Sequence, residues 1–288
     1  MEPFGIRLGE AVAQHGPICV GIDPHSALLE EWDLPDTVDG LRQFAEIAVE
    51  AFGGQASLVK PQSAFFERFG SGGVEVLEDV LAGLREAGTL SLLDVKRGDI
   101  GSTMLAYAQA YLADESLLRA DAITVSPFLG FGSLTPAFDL AQRTGRGVFV
   151  LAMTSNPEGA AVQHAVWERD TVSGAIIDAV CEANALAPAG SYGDVGMVVG
   201  ATVGKDIADL GLTGRLAESR APLLAPGLGA QGATVGDIAR GFGMAAPLVL
   251  PSTSRAILSA GPEVAALQDA LRGAQQEAAT LLSAGPTG

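Results

Sequence analysis

Leu92-Leu93-Asp94-Val95-Lys96-Arg97-Gly98-Asp99-Ile100-Gly101-Ser102-Thr103 sets three charged side chains, Asp94, Lys96 and Asp99, at the end of a short apolar run. Leu90–Lys96 reads as a strand. Residues two apart on a strand face the same way, so Asp94 and Lys96 are expected to project together from its end. Gly98 allows a turn, Asp99 sits on that turn, and Thr103–Ala113 reads as the next helix. A carboxylate, an ammonium and a second carboxylate would then converge where strand becomes loop. An ion pair that merely closes a strand gathers the same charges, so the rest of the chain has to decide.

Outward from this stretch, apolar β-branched runs alternate with longer amphipathic ones. Strands are expected at Ile18–Ile22, Ser57–Lys60, Leu90–Lys96, Ala122–Ser126, Gly147–Met153, Val195–Gly200, Leu223–Ala225 and Pro247–Leu250. Helical spacing falls between them at Val38–Phe52, Val74–Ala87, Thr103–Ala113, Ser133–Arg143, Val172–Leu186, Gly204–Leu210, Gly232–Gly241 and Glu263–Leu282. Such alternation means an α/β fold, a parallel sheet closed into a (β/α)8 TIM barrel. An open doubly wound sheet is the rival. The 288 residues suit one barrel, typically about 250 residues, so 1–288 is expected to be a single domain with its core over 17–283.

The net charge of −17, from 17 basic and 34 acidic side chains, argues against nucleic acid, which needs basic patches. One local pocket can still hold a small phosphorylated ligand. With only Cys19 and Cys181, a disulfide framework is not expected and a reducing cytosol fits. Met1–Gln14 lacks a secretory pattern, and no apolar run reaches the roughly 18–20 residues a membrane helix needs. A cytoplasmic protein without membrane association is therefore expected. His15, His25 and His164 form no metal-ligand cluster and read as ordinary surface or turn residues, and neither cysteine has a histidine neighbour for thiol chemistry. No metal and no cofactor is expected.

In a barrel, chemistry gathers at the C-terminal strand ends. Those ends carry Asp23, Lys60, Asp94 with Lys96, Ser126, Ser155, Thr202, Gln231 and Arg255. Asp23 would serve equally to open an Asx turn, and Lys60 to reach solvent. Beside Asp94, Lys60 is instead expected to join an alternating array with Lys96 and Asp99, each charge holding its neighbours ionised. After the seventh strand, Gly227, Gly229 and Gly232 match Gly-x-Gly-x-x-Gly. A dinucleotide fingerprint would follow the first strand and carry an acid about twenty residues on, where Ser252 stands. A phosphate loop fits better: glycines admit an anion to backbone N–H groups, the next helix offers its N-terminus, and Arg255 supplies a forked cation. Ser155–Asp170 and Gly227–Gly232 are the loops expected to close over a ligand.

Asp-x-Lys-x-x-Asp-Ile at the end of a third strand resembles the orotidine 5′-monophosphate decarboxylase family, and Arg97–Thr103 looks like its longer bacterial branch. Matches run from Gly21 to Leu258. The resemblance implies conversion of orotidine 5′-monophosphate to uridine 5′-monophosphate and CO2 in pyrimidine biosynthesis without a cofactor. It implies catalysis by Lys96, as proton donor to C6, with Asp94, Asp99 and Lys60. It puts Asp23 on a ribose hydroxyl, Ser155 on the polar edge of the pyrimidine, and Gln231, Arg255 and Gly229 at the phosphate. Asp99 and Thr103, with Ile100 beside them among the substrate-binding residues, would reach the neighbour's ribose across a homodimer. Ser126 departs from the family's usual Asn. Two rivals are a metal-dependent lyase or aldolase on a sugar phosphate, against which the Lys60 cation argues, and a non-catalytic nucleotide-binding barrel. Chelator separates the first and one turnover assay the second.

Overall fold

The computed structural model describes residues 2–229 and 232–282. Among them, eight parallel strands close into a barrel: β1 Cys19–Ile22, β2 Leu58–Pro61, β3 Leu90–Arg97, β4 Ala122–Val125, β5 Gly147–Met153, β6 Val195–Val199, β7 Leu223–Pro226 and β8 Val249–Thr253. Each strand pairs with its neighbour in sequence, and β1 closes on β8 with Cys19 opposite Ser252 and Val20 opposite Thr253. The fold is the expected (β/α)8 barrel, and the open sheet is excluded. The eighth strand begins later than expected, because Pro247 lies in a 3-10 turn, Gly243–Leu248. Proline has no N–H to give a ladder.

Strand side chains alternate between two apolar layers. One face, with Val20, Ile22, Val59, Leu93, Ile123 and Val150, packs under the surrounding helices. The other, with Leu58, Leu92, Ala122, Phe149, Val198, Leu224 and Leu250, fills the barrel. A helix absent from the sequence reading, Phe4–His15, adds Phe4, Leu8 and Val12 to that inner layer. It plugs the N-terminal mouth, with Gly5 N donating to Asp194 just ahead of β6. Gly147 makes room for the plug: a Cβ there would lie 2.5 Å from the Phe4 ring.

Other differences are at element ends. The helix expected from Val74 starts at Gly70 and runs to Glu86, and the one from Val172 stops at Ala183. The closing segment is a helix, Val264–Ala278, followed by a 3-10 turn, Ala279–Leu281. Ser155–Asp170, expected as a polar loop, contains a short helix Ala160–Gln163 and one strand of an antiparallel ladder pairing Val166–Trp167 with Asp170–Thr171.

Candidate active site

At the C-terminal mouth the strand ends surround a cavity of about 530 Å³. Its charged floor comes from three adjacent strands. Lys60 on β2 is buried, and its Nζ lies 3.4 Å from Asp94 Oδ2 and 3.8 Å from Asp23 Oδ1. Lys96 Nζ lies 2.6 Å from Asp94 Oδ1. Asp94 thus sits between two ammoniums. Thr124 Oγ1, on β4, donates to Asp94 Oδ1 at 2.7 Å and accepts from Lys96 N at 2.9 Å. Gln62 Oε1 accepts from Lys60 Nζ at 3.3 Å.

Simple strand alternation is not how Asp94 and Lys96 meet. The β3–β4 register shifts between Leu93 and Arg97, and Lys96 has a φ of +46°. That left-handed conformation crowds Cβ in any L-residue with a side chain, and such strain persists only where the surroundings impose it. The surroundings here are tight: a Cβ on Gly98 would lie 2.4 Å from Ser126 O, and Ser126 N donates to Arg97 O at 2.8 Å. The bulge swings the Lys96 amine back over Asp94 and leaves its side chain 45% exposed to the cavity while Asp94 is 9% exposed.

Electrostatics follow from this geometry. Burial alone would raise the Asp94 pKa, but Lys60 and Lys96 outweigh it and hold the carboxyl below the usual range. Burial alone would lower Lys60, and Asp23 and Asp94 outweigh it upward. Asp23 Oδ1 is buried and accepts no hydrogen bond. A buried acceptor without a donor is costly, and here the Lys60 ammonium 3.8 Å away offsets the cost electrostatically, while the Asp23 side chain, 17% exposed, lines the cavity. Burial pushes the Cys19 thiol up to about 12, which leaves it a packing residue.

Ser155 and Arg255 line the same cavity, with Gly227 and Leu228. The helix after the glycine loop begins only at Val235 and caps itself: Thr234 Oγ1 accepts from Asp237 N, and Asp237 Oδ2 accepts from Thr234 N. The cap uses those two N–H groups, and neither Thr234 nor Val235 lines the cavity, whose lining at this corner is Gly227, Leu228 and Arg255. Gly229 N is bonded to Ala233 O, and Gln231 lies outside the described residues.

Asp99 does not join the array within its own chain. Its Oδ1 accepts from Ile100 N at 2.8 Å, and Asp99, Ile100 and Thr103 lie outside the cavity, with Ile100 61% exposed. Ser126 is outside it too, and Thr202 lines a separate surface hollow. The sequence reading missed Thr124, Gln62 and His25. Gln62 follows Lys60 by two, which was the available signal. His25 lines the cavity and packs against Phe65 with ring centroids 4.0 Å apart and planes tilted by 55°; burial lowers its pKa against the pull of Asp23.

A profile of the orotidine 5′-phosphate decarboxylase / HUMPS family matches residues 16–270. The chain belongs to that family. Among members of the orotidine 5′-phosphate decarboxylase / HUMPS family, an orotidine 5′-phosphate decarboxylase of Salinispora arenicola is 58% identical over 271 residues, covering 94% of this chain and 95% of the relative. One from Streptomyces coelicolor is 53% identical over 274 residues, covering 94% and 95%. A Streptomyces avermitilis crystal structure assigned to the same activity superposes with a TM-score of 0.93 at 50% identity, covering 99% of this chain and 97% of that one. The orotidine monophosphate decarboxylase of Leishmania donovani superposes at 0.75 with 29% identity, covering 98% and 100%.

Proposed function

We propose that this chain, folded as a single barrel domain, decarboxylates orotidine 5′-monophosphate to uridine 5′-monophosphate and CO2 in pyrimidine biosynthesis, with no cofactor. The observation that carries the reading is the buried Asp94 held between the Lys60 and Lys96 ammoniums at the cavity floor; relatives more than half identical bear the same activity in their names. The bond from C6 to the carboxylate breaks, CO2 leaves, and the electron pair stays on C6. Lys96 Nζ stabilises that charge and gives it a proton, becoming a neutral amine that regains a proton from solvent. Asp94 keeps Lys96 oriented and charged, and Lys60 and Thr124 keep Asp94 ionised and still. Asp23, in the cavity lining, takes a ribose hydroxyl. Ser155 takes the pyrimidine edge, and Arg255 takes the 5′-phosphate with Gln231 and the loop around Gly229. Binding energy from the phosphate, remote from C6, is available to close the loops over the base.

The Lys60 ammonium also favours this reaction over a metal-dependent one, because a cation at that strand end repels a metal. Dimerisation is supported by a run of exposed apolar side chains beside the β3 and β4 ends, Ile100, Phe128 and Leu129, next to the half-buried Asp99 and the exposed Thr103 that would serve the neighbour's site. A cytoplasmic location agrees with the absence, among the described residues, of a helix long and apolar enough to cross a membrane. The test is ultraviolet absorbance of orotidine 5′-monophosphate mixed with purified protein, with and without chelator. The expected result is the same decay of the substrate band in both; no decay overturns the reaction, and loss with chelator overturns the cofactor-free mechanism.

A further inference from the structure

The barrel's other mouth carries a concentration of positive charge. Between the starts of β3 and β4 lies a hollow of about 190 Å³ lined by Arg7, Arg85, Arg119 and Arg146, with Asp121 as its carboxylate. Arg7 is engaged: it pairs with Asp121 Oδ1 at 2.5 Å and donates to Gly145 O and Glu2 O. Arg146, buried, pairs with Asp114 at 2.8 Å and donates to Leu112 O. The second oxygen of Asp121 is taken by Ser91, through N at 3.0 Å and Oγ at 3.1 Å. Two guanidiniums are left over. Arg119 donates once, to Ser116 O, and Arg85 once, to Leu81 O at 3.4 Å. Among the described residues neither has a carboxylate partner.

This is against expectation for a chain with 34 acidic and 17 basic side chains, which could neutralise either arginine. Crowding is felt at Arg85, whose pKa is lowered first by burial and then by Arg119, with Arg146 adding to it against Asp121 and Glu86. A guanidinium does not escape repulsion by losing its proton. An anion between the forks relieves it and satisfies the free donors. We propose that this hollow is a binding site for a phosphate-class oxyanion, distinct from the cavity at the opposite mouth. Its volume is below the roughly 300–1,000 Å³ of pockets for drug-sized ligands, so the group recognised is inorganic phosphate or the phosphate end of a larger molecule. Thr89 in the wall, whose Oγ1 accepts from Gly54 N at 2.6 Å, keeps its own hydroxyl proton to donate, whereas the Ser91 hydroxyl is committed to Asp121. The inference does not depend on the reaction proposed above.

Calorimetric titration with inorganic phosphate and with pyrophosphate, at constant ionic strength set by chloride, tests it. The wild-type chain is expected to bind two equivalents. Arg255→Ala removes one, and Arg85→Gln/Arg119→Gln weakens the other at least tenfold. Pyrophosphate binding at least tenfold tighter than phosphate assigns the site to a polyphosphate or its esters, and equal binding assigns it to a single phosphate group; either supports the site. Titrations that superpose for wild type and the double variant overturn it. Melting temperature in anion-free buffer separates binding from a structural role. Relief of repulsion predicts no loss of Tm in the double variant, and, with Arg255→Ala as the common background so that the other anion site is removed, anion-induced stabilisation only where Arg85 and Arg119 are intact. A fall of several degrees in the variant without anion means that the arginines hold the fold, and overturns the proposal. Arg85→Gln alone, an exposed position, reads the same way if the double variant does not fold.

Discussion

Lys96 and Asp94 are two residues apart, yet the first is half in the cavity and the second almost out of solvent. That asymmetry suits a proton donor that must reach substrate and a carboxylate that must not lose its charge. Lys96→Ala is expected to lower kcat by two to four decades, the usual scale of a general acid, while equilibrium dialysis still detects uridine 5′-monophosphate; near-normal kcat would take the proton-donor role from Lys96. Arg255→Ala is expected to weaken the 5′-nucleotide about tenfold or more relative to the bare nucleoside, since a charge-assisted bond is worth about 1.5–3 kcal/mol. Equal weakening of both ligands would put Arg255 outside the phosphate site. Asp94 also has a pH signature. Its folded pKa lies below the ordinary 3.8, so its pairing stabilises the fold above that value and the contribution is lost as pH falls through the lower, folded one. Lys60, raised above its ordinary 10.5, contributes below that value and loses its share only at higher pH. The stability gap between wild type and Asp94→Asn should therefore stay level from about pH 5 to 9 and shrink on acidification below about 4. A gap that shrinks through neutral pH would contradict the charged array.

At the scale of elements, the barrel was legible because eight buried parallel strands leave a strong alternation of apolar runs and amphipathic stretches. Lys60, Asp94 and Lys96 were legible because they interrupt those runs at their ends. The β3 bulge was not: only Gly98 marks it in the sequence, and the positive φ falls on Lys96, a residue that gives no warning of it. Thr124 was hidden for a similar reason, since a threonine in a strand reads as β-propensity until its hydroxyl is seen bridging Asp94 and Lys96. The plugging helix was overlooked although Phe4, Leu8 and Val12 repeat every four residues. The bulge gives a test that isolates backbone from charge. Lys96→Gly and Lys96→Ala lose the same amine, but only glycine relaxes the left-handed turn, so Lys96→Gly should be the more stable by about 1 kcal/mol. Denaturant midpoints at unchanged m-value decide this, and a less stable glycine variant would mean that the strain is not local to Lys96.

For the whole molecule, the question is whether one barrel makes a complete site. Asp99, half-buried, and Thr103, exposed, both sit outside the cavity, so their proposed role requires a second copy. A two-fold interface is reciprocal. If Lys96→Ala and Asp99→Ala proteins, each nearly inactive, exchange subunits at random, half the dimers are mixed and each mixed dimer has one site with both residues intact. Roughly a quarter of all sites should then recover. No recovery, after mass spectrometry has verified exchange, would assign Asp99 to its own chain, where its bond to Ile100 N makes it a turn residue.

The closure of β1 on β8 has a consequence for the life of the chain. Asp23 follows the first strand and Arg255 the last, and the cavity spans the seam between them. During synthesis, Asp23, Lys60, Asp94 and Lys96, proposed to meet the sugar and the reacting carbon, emerge first, Ser155, proposed for the base, follows, and Arg255, proposed for the phosphate, emerges after them all. A nascent chain therefore has no nucleotide pocket until the ring shuts, and a bound nucleotide acts as a clasp across the join. Because such a ligand binds only the shut ring, it draws the opening equilibrium toward closure by mass action, so hydrogen exchange at β1 and β8 should slow on nucleotide binding more than exchange at β4 and β5, on the far side of the ring.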